Sequence, residues 1–99
     1  MITIVRSATT QPGKMGEAVA WGKESAAIVK RVTGKEVAFC TSFGGVVGAV
    51  AWIVKYDNAA QVEEMGGKLR ADREYKAALS KTASLFVPGS IHDQLWRQI

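Results

Sequence analysis

Apolar and polar positions change period several times along the chain, and each change predicts an element. "MITIVRS" alternates, with Ile2 and Ile4 on one face and Thr3, Val5 and Ser7 on the other, which predicts a strand. "TTQPGK" ends it with a Pro-Gly turn signal. From Met15 the apolar positions Met15, Ala18, Val19, Gly22, Ala26, Val29 and Val32 fall near helical spacing, predicting an amphipathic helix over 14–33. Lys30 and Arg31 complement the negative end of its dipole, and Gly34 offers a left-handed cap.

"EVAFCTSF" alternates again and runs into "FGGVVGAVAWIV", the least polar stretch of the chain. Residues 59–83 return to helical spacing. Asn58 and Gln61 have capping-box spacing, Val62, Met65, Gly66 and Leu69 form the apolar stripe, and Glu64 with Lys68 makes an i,i+4 pair. Asp72 can restart the helix, so this segment reads as one kinked helix or two short ones. Gly66-Gly67 is expected to pack closely against a bulky sheet residue. "FVPGS" breaks the chain, and "IHDQLWRQI" closes it as a strand with Ile91, Asp93, Leu95, Arg97 and Ile99 opposite His92, Gln94, Trp96 and Gln98. The order β-α-β-β-α-β is the α+β ferredoxin-like arrangement, with a four-stranded antiparallel sheet.

The glycine-rich stretch has neither the G-x-x-x-x-G-K-[ST] order of a phosphate loop nor the G-x-G-x-x-G order of a dinucleotide fingerprint. It is also well short of the roughly 20 apolar residues that span a bilayer. A hairpin fits. With Gly44-Gly45 as the tip, Phe39 faces Val50; with a four-residue tip, Gly44 to Val47, Phe39 faces Trp52. Both registers leave the same residues on the same faces. Phe39, Val50, Trp52, Val54 and Tyr56 make a bulky face, while Ala38, Cys40, Ala49 and Ala51 make a small one. Small residues suit close helix packing, so the bulky face is expected to lie open and to be buried by two-fold self-association.

Composition narrows the picture. Ninety-nine residues make one domain, 1–99, with 47% hydrophobic and 22% charged residues, which excludes disorder. The formal charge of +4 is dispersed, with Lys30-Arg31 the only adjacent basic pair, so no nucleic-acid stripe is present. RNA-recognition domains share this element order, but where they carry stacking aromatics this chain has Ala49 and Ala51 after Gly48. One cysteine, Cys40, excludes an internal disulfide framework and suits a reducing, cytoplasmic setting. The N-terminal apolar run is too short for a signal peptide, and no membrane partner is expected.

"PGK" before the first helix, "FGG" with Gly48 at the hairpin, "AWIVKYD" entering the second helix and "VPGSIHD" opening the last strand together resemble the dimeric α+β barrel superfamily. The likeness is greatest to its NIPSNAP-like members of unknown function. The resemblance implies two ferredoxin-like subunits packed sheet to sheet, with a cavity between sheet and helices that some members use as an active site. The superfamily includes cofactor-free monooxygenases, haem-degrading enzymes and polyketide cyclases. The haem-degrading branch carries a tryptophan entering the second helix and a histidine within it. Here that entry reads Tyr56-Asp57-Asn58, and residues 59–83 contain no histidine.

Candidate chemistry is sparse. His92 is the only histidine and the one ready acid–base group at physiological pH. Phe39, Trp52, Tyr56, His92 and Trp96 are the candidate ligand-binding residues, in a cavity suited to a small apolar or aromatic molecule. Tyr75 offers a further hydroxyl. Asp57 and Asp72 read as caps, and Asp93 lies at an element end. Cys40 is expected to be a buried, inert thiol. No Cys/His cluster suggests a metal, and no cofactor is expected. The functional reading is a homodimeric barrel protein that binds a small molecule. The alternative is a monooxygenase- or cyclase-like enzyme using His92, Trp52 and Tyr56.

Overall fold

The computed structural model describes residues 1–99. Strand β1 (Ile2–Thr9) leads through the Pro12-Gly13 turn into helix α1 (Met15–Thr33). Strands β2 (Val37–Thr41) and β3 (Ala49–Tyr56) form the central hairpin. Helices α2 (Ala59–Ala71), α3 (Arg73–Leu79) and α4 (Thr82–Leu85) follow, and strand β4 (His92–Arg97) closes the sheet. The strands run antiparallel in the order β2-β3-β1-β4, which is the ferredoxin-like topology.

The boundaries follow local chemistry. Gly34 adopts φ +75° and its N–H bonds to the Lys30 carbonyl, closing α1 in a left-handed cap. At the start of α2 the Asn58 side chain accepts from the Gln61 N–H at 2.8 Å, while the Gln61 side chain accepts from the Asp57 N–H at 2.7 Å. Asp72 interrupts the helical run with an extended backbone and caps α3 by accepting from the Tyr75 N–H at 2.9 Å. The predicted second helical region is therefore three helices. Arg31 bonds to both Asp72 and Glu74, tying the end of α1 to the start of α3.

The hairpin takes the register of the longer tip, with Phe39 opposite Trp52 and Thr41 opposite Val50. The division of residues between the two faces holds, but the expected orientation is reversed. Trp52 and Phe39 pack against the core, Val50 and Tyr56 are almost wholly buried, and the helices lie over this bulky face. Ala38 and Cys40 point the other way and are exposed, so the thiol expected to be buried is open to solvent.

The reversal has a steric cause. Helices resting on a sheet leave a gap that alanines cannot fill at protein packing density, whereas aromatic rings can. Trp21 from α1, Trp52 from β3 and Phe86 after α4 meet edge to face, with centroid separations of 5.6 and 5.7 Å. Phe39 adds a tilted contact to Trp52 at 5.2 Å. Close approach is needed at one point only, where Gly22 of α1 passes over Phe39. The expected contact between Gly66-Gly67 and the sheet does not form. The nearest group to a side chain at either position would be the Arg70 guanidinium, on the same helix. No residue of α2 is fully buried, so this helix stands off the sheet.

Candidate functional site

Because α2 stands off, a cleft of about 780 Å³ separates the helices from the sheet. That volume lies within the range of small-molecule sites, roughly 300–1,000 Å³. Its walls are mostly apolar. Ile4, Val54 and Leu95 line the sheet side, Val29 and Trp21 come from α1, and Val62 and Leu69 come from α2. The end aromatics Trp52 and Phe86 close it against the core. All six residues of the edge strand β4 are exposed, including Leu95 of the cleft wall.

A charged pair interrupts the apolar lining on the sheet side, and Glu63 and Arg70 of α2 interrupt it on the helix side. Arg6 lies in β1 between Ile4 and Ala8 on the helix-covered face, directly opposite Asp93 of β4. Arg6 Nε donates to Asp93 Oδ1 at 2.7 Å and Nη2 donates to Oδ2 at 2.8 Å, a bidentate pair. The hydrogen bonds from Arg6 hold the Asp93 carboxyl below its ordinary range. The same bonds, with a smaller contribution from the nearby Tyr75 hydroxyl, keep Arg6 firmly protonated. Burial pushes the Tyr56 hydroxyl up, so it stays neutral at physiological pH.

The five candidate binding residues are divided by the sheet. Trp52 and Tyr56 line the cleft. Trp52 is fixed there by its indole N–H, which donates to Ser25 Oγ at 3.2 Å and lies 3.4 Å from the Gly22 carbonyl oxygen. Phe39 supports Trp52 from behind without lining the cleft. His92 and Trp96 pair with Ser7 and Thr3 of β1 on the opposite face, where Trp96 is 60% exposed. They therefore cannot share a pocket with Trp52 and Tyr56. Arg6 and Asp93 on the sheet and Glu63, Arg70 and Tyr75 on the helices form the polar part of the cleft; Arg6, Glu63 and Arg70 are not among the sequence candidates. No group of three or more His, Cys, Asp or Glu side chains comes together in metal-holding geometry.

The NIPSNAP family model matches residues 4–97. The chain belongs to the NIPSNAP family. Its fold matches an uncharacterised NIPSNAP domain protein from Burkholderia xenovorans at a TM-score of 0.85 and 15% identity, over 100% of this chain and 95% of that one. A NIPSNAP family protein from Agrobacterium tumefaciens matches at a TM-score of 0.84 and 19% identity, over 99% and 92% of the two chains. A putative antibiotic biosynthesis monooxygenase from Deinococcus radiodurans matches at 0.76 and 9% identity, over 99% and 92%. No curated protein matches the sequence. No helix is long and apolar enough to cross a membrane.

Proposed function

We propose that this NIPSNAP protein is a homodimer that binds a small, largely apolar or aromatic molecule in the cleft between its sheet and helices. The observation that carries the reading is the cleft itself, with apolar walls broken by a few polar groups. The dimer would form through the face that the helices leave uncovered. Val5 and Ile53 are directly opposite each other there, with Ala38 beyond Ile53 and Trp96 nearby on the edge strand. Glu36 and Lys55 flank the shallow depression over Ala38 and Ile53. Opposite charges on one self-facing surface suit a two-fold contact between copies. This moves the expected interface from the bulky face, which the protein's own helices occupy, to the small one. The lone, exposed Cys40 suits a reducing compartment, and on that ground we place the protein in the cytoplasm.

The three tryptophans test the ligand reading. Trp21 and Trp52 line the cleft, while Trp96 lies on the far side of the sheet. Titration with 2-naphthol, followed by NMR of the indole N–H signals, should move Trp21 and Trp52 and leave Trp96 in place. No movement of either cleft tryptophan at millimolar ligand would overturn it.

The likeness to the Deinococcus protein favours one second reading, an enzyme of monooxygenase or cyclase type. In that case proton transfer falls to Tyr56, Tyr75 or Asp93, because His92 faces away from the cleft. Product formation from an aromatic substrate that survives the loss of both tyrosine hydroxyls and of the Asp93 carboxylate would exclude that assignment.

A further inference from the structure

The cleft also carries information about the kind of molecule it accepts. Its charged lining groups are Arg6, Arg70, Glu63 and Asp93, two of each sign, so it has no net charge. The two tyrosines that border it, Tyr56 and Tyr75, add hydroxyls without adding charge. Glu63 and Arg70 are exposed on α2, whereas on the sheet wall Arg6 and Asp93 neutralise each other, so a ligand carboxylate set against that wall leaves water with no free counter-charge beside it.

The geometry at Arg6 sharpens this. A guanidinium recognises a carboxylate by presenting two parallel N–H groups. In this protein Nε and Nη2 of Arg6 already make that pair with Asp93. What remains is the other edge of the guanidinium, with the Tyr75 hydroxyl beside it. A single carbonyl or hydroxyl oxygen can use those donors. A ligand carboxylate cannot take the occupied fork, and it would meet the negative charge of Asp93.

Resting on the small-molecule reading above, we infer that the cleft selects neutral aromatic molecules bearing one carbonyl or hydroxyl oxygen, and that Asp93 excludes their carboxylate counterparts. Arg6 and Tyr75 bind the oxygen. The apolar walls, with Trp52 and Val54 on one side and Leu69 on the other, hold the ring. Asp93 acts as a specificity determinant because it occupies the fork of Arg6 that an acid would otherwise take.

Three ligands with one skeleton separate the terms: 2-naphthol, 2-naphthoate and 2-methylnaphthalene. Affinities are measured by the indole N–H shifts of Trp21 and Trp52, with Trp96 and the thermal melting curve reporting that the fold is intact. The wild-type protein should bind 2-naphthol about tenfold more tightly than either of the others, the scale of one charge-assisted hydrogen bond. Tyr75→Phe should bring 2-naphthol down toward 2-methylnaphthalene. Asp93→Asn frees the fork and leaves a net positive charge, so it should reverse the order and favour 2-naphthoate. A purely structural role for Asp93 would weaken all three alike.

Wild-type binding of 2-naphthoate as tight as that of 2-naphthol would overturn the inference while leaving the ligand reading intact. So would an unchanged order of preference in a folded Asp93→Asn variant. If that variant does not fold, a Tyr75→Phe variant that binds 2-naphthol as tightly as the wild type overturns it as well. If none of the three ligands moves Trp21 or Trp52, the small-molecule reading fails and this inference fails with it.

Discussion

Gly22 of α1 passes over Phe39 of β2 so closely that a Cβ built at position 22 would lie 2.2 Å from Phe39 Cζ. The ring cannot retreat freely, because its other side meets Trp52. Alanine in place of glycine improves helix propensity by about 1 kcal/mol. Overpacking a filled site costs about 1–3 kcal/mol. Gly22→Ala should therefore gain little or lose stability, and the bulkier Gly22→Val should lose clearly. Combining Gly22→Val with Phe39→Leu should recover part of the loss. Urea unfolding midpoints check this, and a Gly22→Val variant as stable as the wild type would show that α1 can shift away from the sheet.

The same helix is fixed from its other side by Trp21, whose indole N–H donates to the Ala78 carbonyl at 2.8 Å in a buried contact between α1 and α3. Trp21→Phe keeps an aromatic ring in the core but removes that bond between the helices, leaving the Ala78 carbonyl only the Lys81 N–H at 3.1 Å. The net loss of one hydrogen bond costs about 0.5–1.5 kcal/mol. The variant should unfold earlier in denaturant. Its amide exchange should also speed up in α3 more than in the sheet, because the lost bond fastens the end of α3 to α1, while Arg31 holds only its start. Uniform acceleration across the molecule would assign the effect to core volume instead.

These packing relationships show how far the sequence could be read. Element order, the α1 boundaries, the Gly34 cap and the break at Asp72 were all legible, because each depends on neighbours within a few residues. The two faces of the hairpin were also legible, since side chains alternate whatever the register. Which face the helices cover was not. That depends on the depth of the gap between helices and sheet, and on Gly22 and Phe39 meeting across it. The polar centre of the cleft left a signal that went unused. Arg6 shares a face with Ile2 and Ile4, and Asp93 shares one with Ile91, Leu95 and Arg97, so β1 places one charge among apolar residues and β4 two. Arg6 and Asp93 have opposite sign, and the strand pairing sets them face to face. His92 drew attention by its chemistry, but strand parity sends it to the other side of the sheet.

Acid should loosen the junction of α2 and α3 before the rest of the helical layer. The Asp72 carboxyl is held below its ordinary value first by the Tyr75 backbone N–H and then by Arg31. A carboxyl whose folded value is depressed contributes stability that is complete above its unfolded value, about 3.9. That contribution is lost as pH falls through the lower folded value. Asp72→Ala should therefore be less stable than the wild type at neutral pH, and the difference should shrink as the solution becomes acidic. Unfolding midpoints of both proteins across the acid range give the comparison. A difference that stays constant with pH would mean that the charge of Asp72 has no part in the effect.

The uncovered sheet face supplies the remaining prediction. Ile53 sits in β3 with Val5 on one side and Ala38 on the other, all directed away from the helices. In a two-fold contact between these faces, a glutamate at position 53 would bring one carboxylate from each copy into an apolar interface. Removing a charge from water without a partner costs several kcal/mol, enough to dissociate a dimer of ordinary affinity. Within a single chain the same side chain is half-buried on the uncovered face, so its cost there should be modest, about 1 kcal/mol. Ile53→Glu should therefore give a folded monomer by light scattering where the wild type gives a dimer. The cleft should remain intact, with Trp21 and Trp52 still shifting with 2-naphthol. A dimer that survives the substitution would place the contact on another surface, and a wild-type monomer at micromolar concentration would remove the dimer altogether.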